Sequence, residues 1–99
     1  MNHNELNSVD LSVILPVYNE VQILPELYAR LKAVLDETGR SYEIIFVNDR
    51  STDGSEQVLK ELAQDDPTVV LVTFRKNFGQ TAALVAGFDY ARGEIIIIL

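Results

Sequence analysis

The stretch that most limits what this chain can fold into is Ile44-Ile45-Phe46-Val47, an apolar run that stops abruptly at Asn48-Asp49-Arg50-Ser51-Thr52-Asp53-Gly54. A strand with one face in water alternates apolar and polar residues, whereas an uninterrupted run fits a strand covered on both faces, as in parallel sheets. Residues 42–47 are therefore read as a buried strand. Three further runs are read as strands: residues 11–17 (LSVILPV), 69–74 (VVLVTF) and 94–99 (EIIIIL). Pro16 removes a ladder donor near the end of the first and turns the chain into a loop.

Between the runs the apolar spacing becomes helical. Leu24, Leu27, Tyr28, Leu31, Val34 and Leu35 recur at i, i+3, i+4 and i+7. Pro25 is tolerable only in a first turn, so this helix is predicted to start near Ile23, and Gly39 is suited to a left-handed stop. Val58, Leu59, Leu62 and Ala63 mark the buried stripe of a second helix, with Ser51, Thr52 or Asp53 as its expected cap. A third helix, residues 80–91, places Leu84, Gly87, Phe88 and Ala91 on one face, with Ala83 and Gly87 small enough for close approach to a sheet. The order β-α-β-α-β-α-β predicts an α/β fold, a parallel sheet with right-handed crossovers and helices on both faces.

In such a sheet ligands bind at the carboxyl ends of the strands. The loops delivered there, residues 16–22, 48–54 and 75–79, hold most of the unusual polar residues. Neither a G-x-G-x-x-G nor a G-x-x-x-x-G-K-[ST] motif is present, so any phosphate is held by other means. Pro16-Val17-Tyr18-Asn19-Glu20 offers a ring, an amide and a carboxylate that can stack on a base and accept from base or ribose donors. The plainer alternative is a turn in which Asn19 bonds its own backbone and Tyr18 covers the core. Asp49 can accept from a ligand lying across the sheet edge, or can serve an Asx-turn or cap. Asp53, Ser51 and Thr52 fit the capping role. Arg75 and Lys76 can meet a diphosphate beside the helix that opens near Gly79, or can be solvated.

Bulk properties exclude several classes. A net charge of −7 repels phosphate backbones, so nucleic acid is not an expected partner. Without cysteine there is neither a disulfide framework nor a thiolate metal site. The polar tail, residues 1–10, lacks an apolar signal core, no run approaches the ~20 residues of a membrane span, and a cytoplasmic location is expected. His3 in that tail is expected to be neither ligand nor base. At 99 residues the chain is one domain at most and small for a wound α/β domain, and it stops where the fourth strand would deliver its own carboxyl-end loop, so residues 11–99 are read as an N-terminal fragment.

Four segments together carry a resemblance: residues 11–20 (LSVILPVYNE), 43–54 (EIIFVNDRSTDG), 77–84 (NFGQTAAL) and 86–94 (AGFDYARGE). In this order and spacing they resemble the opening of a family 2 inverting glycosyltransferase, nearest to the dolichyl- and undecaprenyl-phosphate sugar transferases. The resemblance implies a Rossmann-like GT-A nucleotide-diphospho-sugar-binding fold, here truncated, with a UDP-sugar or GDP-sugar held by the loops after the first two strands. Pro16, Tyr18 and Glu20 match the family's first nucleotide-binding loop, and Val47 and Asp49 the positions that meet the base. Arg50 stands where many members have glycine, and Lys76 where an arginine often precedes Asn-Phe-Gly.

The resemblance further implies Mg2+ or Mn2+ on the diphosphate, held by an Asp-x-Asp motif expected after the fourth strand and so beyond Leu99. No catalytic residue and no metal ligand is assigned within the chain, which alone is expected to be inactive. The acceptor implied is a polyprenyl phosphate or other glycan acceptor, with the full-length protein at the cytoplasmic face of a membrane. Two readings of other classes stand beside it. One is a non-catalytic wound α/β binding or assembly module that self-associates through its last strand, whose apolar ladder is open to pairing if it lies at the edge. The other is a receiver-like signalling domain, which is weakened because only Glu20 represents the expected acidic cluster.

Overall fold

The computed structural model describes residues 8–99, so His3 and most of the expected polar tail lie outside the described residues. The element order is β1 (Val9–Val17), α1 (Leu24–Glu37), β2 (Tyr42–Asn48), α2 (Ser55–Asp65), β3 (Val69–Thr73), α3 (Gln80–Tyr90) and β4 (Gly93–Ile98). The four strands form one parallel sheet in the order β3-β2-β1-β4. β1 starts at Val9, two residues before the predicted Leu11, because Val9 pairs with Gly93 and the Asp10 N–H donates to Ser41 Oγ. Those two interactions come from distant chain and leave no local signal.

Register sorts each strand's side chains by face. Leu11, Val13, Leu15, Val17, Ile44, Phe46 and Val69 pack with Leu24 and Leu35 of α1 and Leu59 of α2. Ile14, Ile45 and Val47 form a smaller core with Ala83 of α3 on the opposite face. The chain thus steps outward from β1 under α1 and α2, then returns across the other face through α3 to reach β4. Reversing both direction and face keeps one crossover hand throughout, as right-twisted strands require.

The helices follow their sequence patterns with two exceptions. α1 starts after Ile23, carries Pro25 in its first turn and ends before Gly39, whose φ of +68° is the left-handed stop. Val34, predicted for the buried stripe, is exposed. In α3 the buried residues are Ala83 and Gly87, while Phe88 from the predicted face is exposed. The reason is contact distance: a Cβ on Gly87 would stand 2.4 Å from Ile14 Cγ2, so the helix settles on its smallest residues and rotates Phe88 away. β4 is an edge strand, and Ile95 to Leu99 remain substantially exposed.

At the amino end of β3, Asp66 ties α1 to the sheet. Its carboxylate accepts from Tyr28 Oη, from Thr68 N and Oγ1, and from Lys32 Nζ at 2.9 Å. Burial alone raises the Asp66 pKa, but the bonds from Tyr28, Thr68 and Lys32 outweigh it and hold the carboxyl well below the usual range. Burial and the bond to Asp66 push Tyr28 up to about 12. A depressed carboxylate stabilises the fold above its unfolded pKa of about 3.9, and that contribution is lost as pH falls toward the folded value. Urea unfolding is therefore expected to show wild type losing about 1 kcal/mol more than Asp66→Asn between pH 5 and pH 3. Parallel pH profiles for the two proteins would refute the assignment.

Candidate functional site

β1 lies between β2 and β4, and the chain leaves it toward one side but arrives at β4 on the other, which makes the β1/β4 boundary the switch point of the sheet. Pro16 sits at this boundary. Leu11 N donates to Ser41 O beside β2, so odd-numbered N–H groups of β1 face β2 and even-numbered positions face β4. The N–H that Pro16 lacks would have faced β4, where Leu99 N donates to Ile14 O one step earlier in β1.

A cleft of about 220 Å3 opens at this end, lined by Pro16, Val17, Tyr18, Glu20, Asp49, Gln80 and Ala83. Pro16, Tyr18, Glu20 and Asp49, four of the residues singled out in the sequence, meet in its wall. Val47 does not: it is wholly buried in the α3 core beside Ala83 and lies behind the lining. Arg75 and Lys76 lie outside the lining on an exposed loop, with Lys76 Nζ 5.4 Å from the Phe78 ring centroid. Gln80 and Ala83 come from the first turns of α3, and the sequence reading missed both. The signal available was the helix start after Gly79, which brings its first residues to the same sheet edge.

Two loops are anchored to Asp49. Its carboxylate accepts the Phe78 N–H at 2.8 Å and the Gly79 N–H at 3.1 Å, and its carbonyl accepts from Asn77 Nδ2. Its own N–H donates to Val17 O. One residue thus holds the start of α3 against the ends of β1 and β2. Gly79 takes φ +95° and ψ 170°, a conformation open to glycine, and this lets its N–H turn toward Asp49 just before the helix begins.

The loop after β1 is tied to the loop after β2. Asn19 N donates to Ser51 Oγ at 3.0 Å, Thr52 N to Asn19 Oδ1 at 2.7 Å, Glu20 N to Ser55 Oγ at 3.1 Å and Val21 N to Asp53 Oδ2 at 3.1 Å. Ser51 and Thr52 are therefore not helix caps as predicted. The N-cap of α2 is Gly54 in a left-handed conformation, and Asp53, one residue earlier, accepts from Ser55 N and Oγ. Asn19 bonds the neighbouring loop instead of its own backbone, and Tyr18 is half exposed at the cleft instead of covering the core. Asn19 and Arg50 both adopt left-handed φ, 52° and 54°. Arg50 thus takes a backbone conformation natural to glycine.

Two carboxylates, Glu20 and Asp49, line the cleft, and both Asp49 oxygens already accept backbone N–H groups. Among the described residues no group of three or more His, Cys, Asp or Glu side chains is placed to hold a metal ion.

An open parallel sheet with a polar cleft at its switch point is the architecture of crevice-binding α/β domains. The family model for glycosyl transferase family 2 matches residues 12–99, and the chain belongs to that family. It is 44% identical over 91 residues to the uncharacterized glycosyltransferase YkcC of Bacillus subtilis, covering 92% of this chain and 28% of that protein. It is 46% identical over 93 residues to an undecaprenyl-phosphate 4-deoxy-4-formamido-L-arabinose transferase of Pseudomonas aeruginosa, covering 92% and 27%. The chain therefore spans little more than a quarter of the length of these relatives.

Among solved structures it is similar to the mannosyltransferase PcManGT of Pyrobaculum calidifontis in complex with GDP-Man and Mn2+. The TM-score is 0.69 with 27% identity, covering 90% of this chain and 26% of that one. The S. aureus TarS structure shares the fold, with TM-score 0.74 and 23% identity, covering 91% and 26%. Among the described residues no helix is long and apolar enough to cross a membrane.

Proposed function

We propose that the chain is the nucleotide-sugar-binding half of a glycosyltransferase and that the cleft beside Pro16 receives the nucleoside diphosphate. The observation that carries this reading is the convergence of Pro16, Tyr18, Glu20 and Asp49 in one cleft at the switch point. The half-exposed Tyr18 ring offers a stacking face for a base. Glu20 and the free lone pairs of Asp49 accept from base or ribose donors. The start of α3, with Gln80 in the cleft wall, presents backbone N–H groups toward a diphosphate, and Arg75 and Lys76 on the preceding loop supply positive charge. Val47 contributes from behind the lining, by fixing where β2 ends.

For the full-length protein the proposed reaction is transfer of a sugar from UDP-sugar or GDP-sugar to a polyprenyl phosphate at the cytoplasmic face of a membrane, assisted by Mg2+ or Mn2+. The support is the undecaprenyl-phosphate transferase among the relatives and the GDP-Man and Mn2+ in the mannosyltransferase. The metal would neutralise the departing diphosphate. The 99-residue chain by itself is proposed to bind nucleotide weakly, without a metal requirement, and to transfer nothing.

NMR chemical-shift titration of this chain with UDP-sugars and GDP-sugars, with and without Mn2+, tests the reading. The expected result is saturable shifts for Tyr18, Glu20, Asp49 and Gln80 that do not depend on the metal. Absence of shifts with every nucleotide would overturn it, and sugar transfer by this chain alone would refute the proposed inactivity.

A further inference from the structure

We infer that Asp53 is a positioning residue for nucleotide recognition, setting the loop that carries Tyr18 and Glu20 through a bridge with Ser55. This rests on the reading that the cleft receives a nucleotide. Asp53 lies outside the cleft lining, so it touches no ligand there. Its carboxylate divides its two oxygens between two loops: Oδ2 accepts the Val21 N–H at 3.1 Å, and Oδ1 accepts Ser55 N at 3.0 Å and Ser55 Oγ at 2.6 Å.

Ser55 completes the bridge. It is wholly buried, gives its hydroxyl proton to Asp53, and accepts the Glu20 N–H on the same oxygen at 3.1 Å. Consecutive N–H groups of the first loop, Glu20 and Val21, are therefore both held at the entry to α2, by Ser55 in the helix and Asp53 just before its cap. Glu20 Oε1 in turn accepts the Tyr18 N–H at 3.3 Å, so the chain of bonds runs from Asp53 through Glu20 to the Tyr18 backbone. Such a chain is directional. The Ser55 hydroxyl donates its one proton to Asp53 and accepts from Glu20 on a lone pair.

The left-handed backbone at Asn19 shows why a bridge is needed. Without glycine, that conformation is strained and persists where surrounding bonds enforce it. Asn19 is itself held on both sides, by Ser51 Oγ and Thr52 N. Removing Asp53 frees the segment just after it, which lets Glu20 swing away from the cleft and Tyr18 follow.

The test uses the full 99-residue chain and NMR titration with UDP and GDP, which reads affinity from the folded species directly. Asp53→Ala is expected to weaken binding at least tenfold, with Asp53→Asn recovering part of the loss because its amide oxygen still accepts. Asp66→Asn, at the opposite end of the sheet, supplies a destabilised control whose affinity stays at the wild-type value. If Asp53→Ala does not fold, Ser55→Ala carries the same test and is expected to lose affinity several-fold. Wild-type binding with unchanged affinity in the folded Asp53 or Ser55 variant overturns the inference alone. No nucleotide binding by wild type overturns the functional reading and the inference with it.

Discussion

Replacing Glu43 by alanine is expected to lower the unfolding free energy by roughly 2–4 kcal/mol, a large share of what a domain this size possesses. Glu43 is 1% exposed on the α3 face of β2, at the amino end of the sheet. Its Oε2 accepts from Ser12 Oγ at 2.7 Å and from Arg92 N at 2.6 Å, and its Oε1 accepts Arg92 Nε at 3.0 Å. Ser12 Oγ in turn accepts the Gly93 N–H at 2.7 Å. Three of these groups belong to Arg92 and Gly93, where the chain leaves α3 and starts β4. Gly93 passes so near β1 that a Cβ would come within 2.6 Å of Ser12 N.

Glu43 is thus the acceptor that seats β4 in register beside β1. Alanine removes a buried charge together with its partners' acceptor, and the Arg92 side chain is 43% exposed, so water relieves part of the cost. The estimate therefore sits below the upper end for broken buried pairs. Glu43→Gln keeps an acceptor oxygen and should fall between the two. Urea unfolding gives the total, and amide exchange gives the location, with protection at Ile96 to Ile98 lost first. Uniform loss of protection across all four strands would show that Glu43 does not act through β4.

Much of this fold could be read before any coordinates because its elements are locally consistent. The run from Ile44 to Val47 could only be a covered strand, and Pro25 and Gly39 bracket α1 where the helix begins and ends. What the sequence hid were interactions between residues far apart in the chain. Ser51 and Thr52 carry ordinary capping chemistry, and nothing local says that Asn19, more than thirty positions earlier, will use them. Glu43 sits inside a strand pattern as a single polar residue and gives no hint of Arg92. Phe88 matched a helical stripe, yet the close contact between Gly87 and Ile14 set the rotation of α3. The cleft was legible to the level of loops, through Pro16, Tyr18, Glu20 and Asp49. Its far wall, Gln80 and Ala83, depended on how α3 is docked, which is a property of packing.

Asp49→Ala should have the largest effect on the cleft, weakening nucleotide binding by at least tenfold, or about 1.4 kcal/mol, and lowering stability by about 1–3 kcal/mol. The two effects have separable causes. Stability falls because the carboxylate's bonds to the Phe78 and Gly79 N–H groups are lost, though both donors lie on an exposed loop where water can replace part of the bond. Binding falls because the same bonds aim the first turn of α3 at the cleft and because a lining acceptor disappears. Asp49→Asn separates them: its amide oxygen can keep one of the two loop bonds, while its NH2 group faces the other donor and repels it. Shift perturbations at Phe78 and Gly79 report the loop, and the dissociation constant reports the ligand. If Asp49→Ala keeps wild-type affinity while those two amides move, Asp49 holds the scaffold alone and recognition must rest on Tyr18 and Glu20. If affinity falls in both variants out of proportion to the loop change, the carboxylate itself meets the nucleotide, and β2 delivers to the cleft both its anchor and its reader.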